Sequence, residues 1–286
     1  MGAHTIACLK RGETLIDGIQ ESGVSPGLTH FLIGGDNSAY NRMVSINEQR
    51  PTARFTTVKV AAAITALGLT GLAIGATPLE IWFNDFDNEG SRKTTGEKIN
   101  VTGGIVAPRT LDAEQGAIAR IAYELVMAES DGTVPFTATS AQTVPTGADV
   151  DESFRLGDVT VYGASIGPVL GVSIDWGFVI KTIMGNDSIF PVLVAIEHVQ
   201  PRITIRTLKP EALVAVGASG TDDLWEIELL ANEQGGGLAG VGDKVFSTHL
   251  NHSHVESLSG TYRGEAVTTI MVEPIFDGTN APITVA

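Results

Sequence analysis

Beyond residue 150 the chain reads as a succession of short strands with breakers between them. FRLGDVTVYG, VLGVSIDWGFVIKTIM, FPVLVAIEHV, RITIRTL, DDLWEIELLA, KVFSTHL and AVTTIMVEPIF are each β-branched or alternating. Alternation with period two is what a strand needs when its two faces meet different surroundings. Gly, Pro, Asn and Asp fall between these runs at intervals typical of sandwiches and barrels. A chain broken this often has no room for the regular βα alternation that a parallel sheet requires. Only 18% of residues are charged and 33 of the 286 are glycine, a balance that favours short strands and turns over helices. At 43% hydrophobic the chain is long enough to bury a core as one large β domain or two smaller ones.

The first half is less regular. Residues 1–50 carry turn signals at SPG (25–27) and GGDNS (34–38) and are read as an N-terminal arm or opening strands. Residues 51–286 form a β-rich domain, with a weak sub-boundary near 144–153. In VKVAAAITAL, Thr57 can cap a short helix that runs through Ala66 and is stopped by Gly68; a strand over RFTTVKVAAAI competes. PLEIWFNDF alternates as a strand, and EKINVTGGIVAP reads as its return strand. AIARIAYELVMA suits a helix or a strand, but the ESDG turn and TVPFTATSA after it favour a hairpin. The apolar run from Val60 to Thr77 is broken by Gly68, Gly71 and Gly75 and reads as soluble core, not a membrane span. The start MGAHTIACLKRGE does not read as a signal peptide.

Several stretches invite a chemical reading. Gly163-Ala164-Ser165-Ile166-Gly167 matches G-x-S-x-G, the nucleophile elbow of serine hydrolases, which is a strand, a strained turn and then a helix. Pro168 and a β-branched run follow Ser165, so the expected structure is a turn between two long strands, with Ser165 as its polar filler. His249, His252 and His254 lie close together, the last two on one face of any strand they occupy. With a carboxylate such as Glu256 they could hold Zn²⁺ or Ni²⁺; exposed histidines at a strand end are the reading preferred, and no metal is expected. DFDNEG (85–90) opens like a calcium-binding loop but places Gly96 where the closing Glu belongs. GGGLAG (235–240) lacks the Lys-Ser/Thr of a phosphate-binding loop. The lone Cys8 forms no internal disulfide and reads as a small core residue. Trp82, Trp176 and Trp225 are too scattered for a carbohydrate platform and are expected in the core. No catalytic or cofactor-binding residue is assigned, and no enzyme is expected. The formal charge of −15 opposes binding to nucleic acid or anionic membranes.

From Phe154 to Leu208 the chain resembles phage tail tube proteins. The pieces that carry the resemblance are LGDVTVYG and GVSIDWGFVIKTIMGNDSIFPVLVAIEHVQPRITIRTL, with ESDGTVPF, GDKVFSTHL and AVTTIMVEP where further hairpin strands belong. The resemblance implies a mainly β fold, a β-sandwich or open barrel with one or two short helices, completed by oligomerisation. It also implies hexameric rings stacked into a tube through which DNA passes without specific binding. Partners would be further copies of the chain and other tail proteins such as the tape measure and terminator. The location would be the virion tail, assembled in the host cytoplasm. Loops such as GASGTDD (217–223) and EQGGGLAGVGD (233–243) would order on stacking. The alternatives are another β-rich virion protein (a capsid decoration protein or a carbohydrate-binding sandwich) and, behind it, a serine hydrolase using Ser165.

Overall fold

A computed structural model describes residues 5–34, 41–84, 93–145, 153–161, 163–208, 224–231, 242–262 and 265–286. The first fifty residues form β1 (Thr5–Arg11), β2 (Thr14–Ile16), β3 (Ile19–Ser25), β4 (Leu28–Gly34) and β5 (Asn41–Gln49). There follow β6 (Thr52–Thr57), α1 (Val60–Leu67), β7 (Leu72–Ile74), β8 (Leu79–Asn84), β9 (Thr95–Val101) and β10 (Gly104–Glu114). Next come β11 (Arg120–Met127), β12 (Phe136–Thr143), β13 (Phe154–Val161), β14 (Ala164–Ser165), β15 (Val169–Asp175) and β16 (Phe178–Met184). The chain continues with β17 (Pro191–Val199), β18 (Arg202–Thr207), β19 (Trp225–Ala231) and β20 (Lys244–Thr248). It closes with β21 (Leu250–Tyr262), β22 (Glu265–Ile275) and β23 (Ile283–Val285).

The fold is mainly β, and every strand pairing in it is antiparallel. A nine-stranded sheet runs in the order β21-β22-β18-β15-β10-β11-β6-β3, with β7 added beside β10. Two five-stranded sheets, β12-β9-β8-β1-β2 and β14-β13-β19-β20-β23, and two ribbons, β16-β17 and β4-β5, complete it. Among the described residues no sheet closes into a barrel. One core serves the three large sheets: Leu9, Leu79 and Ile81 from the first five-stranded sheet, Phe55, Leu111 and Ile121 from the nine-stranded sheet, and Phe154, Trp225 and Phe246 from the other.

β11 is the central strand of this core because its alternation is complete. Ile121, Tyr123, Leu125 and Met127 are buried in the shared cluster, and Ala119 just before the strand joins them. AIARIAYELVMA is thus a strand, but the hairpin expected with the segment after it does not form. β11 lies between β10 and β6, and β12 pairs with β9 in another sheet. EKINVTGGIVAP is likewise two strands in two sheets. Gly104 takes φ +132, and a Cβ there would run into the Val126 carbonyl, so only glycine allows the chain to change sheets at this point. VLGVSIDWGFVIKTIM also divides, into β15 and β16, at Trp176-Gly177, where Gly177 has φ +58.

The helix begins at Val60, two residues later than a Thr57 cap would start it. Lys59 precedes it with no side-chain cap, while Thr57 is buried in β6, donating to the Asp17 carbonyl at 2.7 Å and accepting from the Lys59 N–H at 3.0 Å. Gly68 ends the helix as expected: its N–H reaches the Ile64 carbonyl at 2.8 Å with φ +69, and the Tyr123 hydroxyl donates to the Gly68 carbonyl at 3.0 Å. Among the described residues no helix is long and apolar enough to cross a membrane.

Candidate self-association surface

Among the described residues the ribbon β16-β17 has one face packed on the core and one exposed. An isolated two-stranded ribbon is marginal in water and must lean on something else. Its inner face does so: Phe178 is buried in the core, and Ile180 and Ile196 pack against it. Gly71 makes room for Ile196, since a Cβ there would collide with its Cδ1 atom. At the tip, the Gln49 N–H donates to the Ile189 carbonyl at 2.6 Å, the Glu129 N–H donates to the Pro191 carbonyl at 3.1 Å, and the Ser188 hydroxyl donates to the Gly132 carbonyl.

The root is held by charge. Pro108 and Arg109 sit where the pairing of β10 with β11 slips register, a bulge that re-aims side chains. Arg109 Nη1 donates to the Phe178 carbonyl at 2.6 Å, and its own carbonyl accepts the Trp176 N–H at 3.0 Å. Arg109 Nε lies 3.2 Å from Glu124 Oε2, while Glu124 Oε1 accepts from Arg54 Nε at 2.9 Å and Nη2 at 2.7 Å. Glu124 is only 8% exposed, and the two guanidiniums are what make a carboxylate tolerable there.

Among the described residues nothing packs over the outer face of the ribbon in the same way. Ile183 stands directly opposite Leu193, and they are 55% and 50% exposed; Val179 nearer the root is also exposed. Lys181 and Glu197 on the same ribbon neutralise one another in an ion pair. Exposed Ile189 at the tip extends the apolar surface toward Leu28, which pairs with Gln49 across β4 and β5. Single exposed apolar residues are ordinary; the facing pair Ile183 and Leu193 on a thin ribbon is a candidate interaction surface.

The residues singled out in the sequence lie elsewhere. β13 turns at Gly163, with φ +72, into the two-residue β14, and then through Ile166, Gly167 and Pro168 into β15. Ser165 donates to Asp158 Oδ1 at 2.8 Å and accepts from the Gly167 N–H at 3.3 Å. Strand follows strand here, without the helix of a nucleophile elbow. His249 is exposed, its Nε2 3.4 Å from Thr284 Oγ1; His252 lies opposite Glu273, and His254 opposite Met271. The His254 and Glu256 side chains are outside the described residues, among which no cluster of three or more potential ligands occurs. DFDNEG, GASGTDD and nearly all of EQGGGLAGVGD are also outside the described residues, as is most of the 144–153 stretch. Trp82, Trp176, Trp225 and Cys8 are buried as expected.

The ribbon surface was not among the expected sites. Its residues were read as ordinary strands, because alternation identifies a two-faced strand without saying whether both faces are covered. Compared with known proteins, the chain matches no family model and no curated sequence.

Proposed function

We propose that the chain is a self-assembling structural protein of the phage tail tube type, its copies joining into hexameric rings that stack around a channel for DNA. The observation that carries this reading is the nine-stranded sheet, which among the described residues is open at β21 and at β3. β21 is thirteen residues long with no Pro and a single formal charge, Glu256, and β3 has no Pro and only Glu21. Proteins that remain single blunt such edges with charge, proline or cover. Two unlike open edges on one sheet make a head-to-tail contact, which yields a closed ring when the rotation between neighbours allows it.

The other supports are physical and sequence-based. The stretch from Phe154 to Leu208 supplies β13 to β18 and is the one that resembles tail tube proteins. A net charge of −15 suits a channel along which DNA moves without sticking, since tight non-specific binding requires a cationic surface. The test is negative-stain microscopy of purified protein across a concentration series. Rings or tubes are expected; a monodisperse single copy at every concentration overturns the reading.

A further inference from the structure

The chain contains one strand arrangement twice. The pairing of β3 with β6 recurs 150 residues on as β15 with β18: Ile19 opposite Thr57 becomes Val169 opposite Thr207, and both ladders slip register after that first pair. β4 with β5 recurs pair for pair at the same interval as β16 with β17, from Leu28 opposite Gln49 (Phe178 opposite Val199) to Gly34 opposite Asn41 (Met184 opposite Pro191). β1 with β2 recurs as β13 with β14, Arg11 opposite Thr14 becoming Val161 opposite Ala164. Further on, β10 with β11 recurs 147 residues later as β21 with β22, Gly104 opposite Met127 becoming Asn251 opposite Pro274. The two five-stranded sheets share one order, β12-β9-β8-β1-β2 and β23-β20-β19-β13-β14. Even the corners match: Gly27 and Gly177 both have φ +58, and their carbonyls accept from the N–H groups of Arg50 and Gln200, each followed by proline. The residues that would match α1 and β7 lie outside the described residues.

The nine-stranded sheet is therefore two repeats side by side, β3-β6-β11-β10 and β15-β18-β22-β21, joined where β10 pairs with β15. That junction shows how one repeat meets the next. Leu111 stands opposite Ile174 and Asp112 opposite Ser173, and the Ser173 hydroxyl donates to Asp112 Oδ1 at 2.6 Å. The two strands left at the ends of the sheet, β21 and β3, are the counterparts of β10 and β15. We propose that β21 of one copy pairs antiparallel with β3 of the next in the register of the β10–β15 junction. Leu258 then stands opposite Val24, and Ser259 opposite Gly23. A second copy is the occupant because the chain already makes this contact once within itself, and an outer copy continues the same sheet. β3 cannot close on β21 of its own chain, since seven strand spacings, about 34 Å, separate them along the sheet. The contact is head-to-tail and propagates until the ring closes. It rests on the self-assembly reading above and changes the copy number of that reading: with two repeats in each chain, a ring of six repeats holds three chains.

The experiment oxidises the double variant Gly23→Cys/Ser259→Cys mildly at assembling concentration, with native Cys8 buried. A Cβ at Gly23 meets nothing within 4 Å, so the substitution leaves β3 free to form. Non-reducing electrophoresis should show covalent dimers and a closed three-chain species, several-fold above a control that pairs Ser259→Cys with Thr139→Cys on exposed β12. A yield equal to the control overturns the contact, and a ladder that continues past three chains overturns the count. Native mass spectrometry of the unsubstituted ring is a second readout: three chains are expected, and six overturn the proposal. Rings in the microscope without the cross-link overturn this contact and leave the tube reading standing. Three-chain closure without stacked tubes supports the contact and counts against the tube.

Discussion

Arg109 holds Phe178 by its backbone: the guanidinium donates to the Phe178 carbonyl at 2.6 Å, tying the first residue of the ribbon to the bulge in β10. Arg109→Met keeps much of the aliphatic stem and removes this donor. The ribbon should then open more often than the sheet beneath it, since local stability follows local bonding. Amide exchange in β16 should accelerate while that in β11 stays slow; uniform acceleration in both would show that Arg109 supports the whole fold and not the ribbon.

Glu124 is the counterpart of that clamp. Glu124→Gln removes the charge between Arg54 and Arg109, whose side chains are 71% and 37% exposed. Breaking a fully buried pair costs several kcal/mol and an exposed one close to nothing, so a loss of about 1–2 kcal/mol is expected here. Denaturant unfolding measures it. A loss equal to that of a surface substitution would mean that solvent already screens the triad.

What could be read ahead of the structure was the local pattern, and what could not was which strands meet. Ala119, Ile121, Tyr123, Leu125 and Met127 form a period-two set, and all of them are buried. The partners of β11 are β10 and β6, the latter more than sixty residues away, and nothing in the intervening residues announces that pairing. β3, IQESGVS, is nearly all exposed at a sheet edge, so it lacks the apolar alternation that identifies a strand. The corners at Gly104 and Gly177 were hidden inside runs that read as single strands, because alternation is blind to a change of sheet. The exposed pair Ile183 and Leu193 was hidden for a related reason. FVIKTIM has the composition of a core strand, and only the finished fold shows that one of its faces stays exposed.

Those corners supply a paired prediction. Gly104→Ala places a side chain at φ +132 against the Val126 carbonyl, and both strain and collision oppose it. A loss of about 3 kcal/mol or more is expected. Gly23→Ala, on the edge strand β3, meets nothing within 4 Å and should change stability by less than about 0.5 kcal/mol. Thermal unfolding of the two variants side by side checks the contrast, and equal losses would contradict it.

Ser165→Ala removes the hydroxyl that bridges Asp158 and the Gly167 N–H, both at exposed positions. The expected cost is about 1 kcal/mol or less, because water can replace these partners. The same variant addresses hydrolysis directly. Any esterase activity in the preparation should be unchanged, and its loss on this substitution would establish Ser165 as a nucleophile.

Asp277 makes stability of one connection depend on pH. It begins the turn between β22 and β23, joining the nine-stranded sheet to a five-stranded one. Its carboxylate accepts from the Asn280 N–H at 2.6 Å, the Asn280 side-chain amide at 2.9 Å and the Thr279 N–H at 2.7 Å. These donors, the Asn280 N–H first and the His249 charge last, pull its pKa down to about 2. A carboxyl depressed in the folded state stabilises that state above its unfolded value, about 3.9, and the contribution fades as pH falls toward the folded value. The turn should therefore hold at pH 5 and loosen between about pH 4 and about pH 2, while β23 stays paired with β20. Amide chemical shifts of Thr279 and Asn280, followed through this window in folded protein, should titrate with a midpoint near 2 and lose that response in Asp277→Asn. A midpoint near 4 would mean that the carboxylate is not held by the turn.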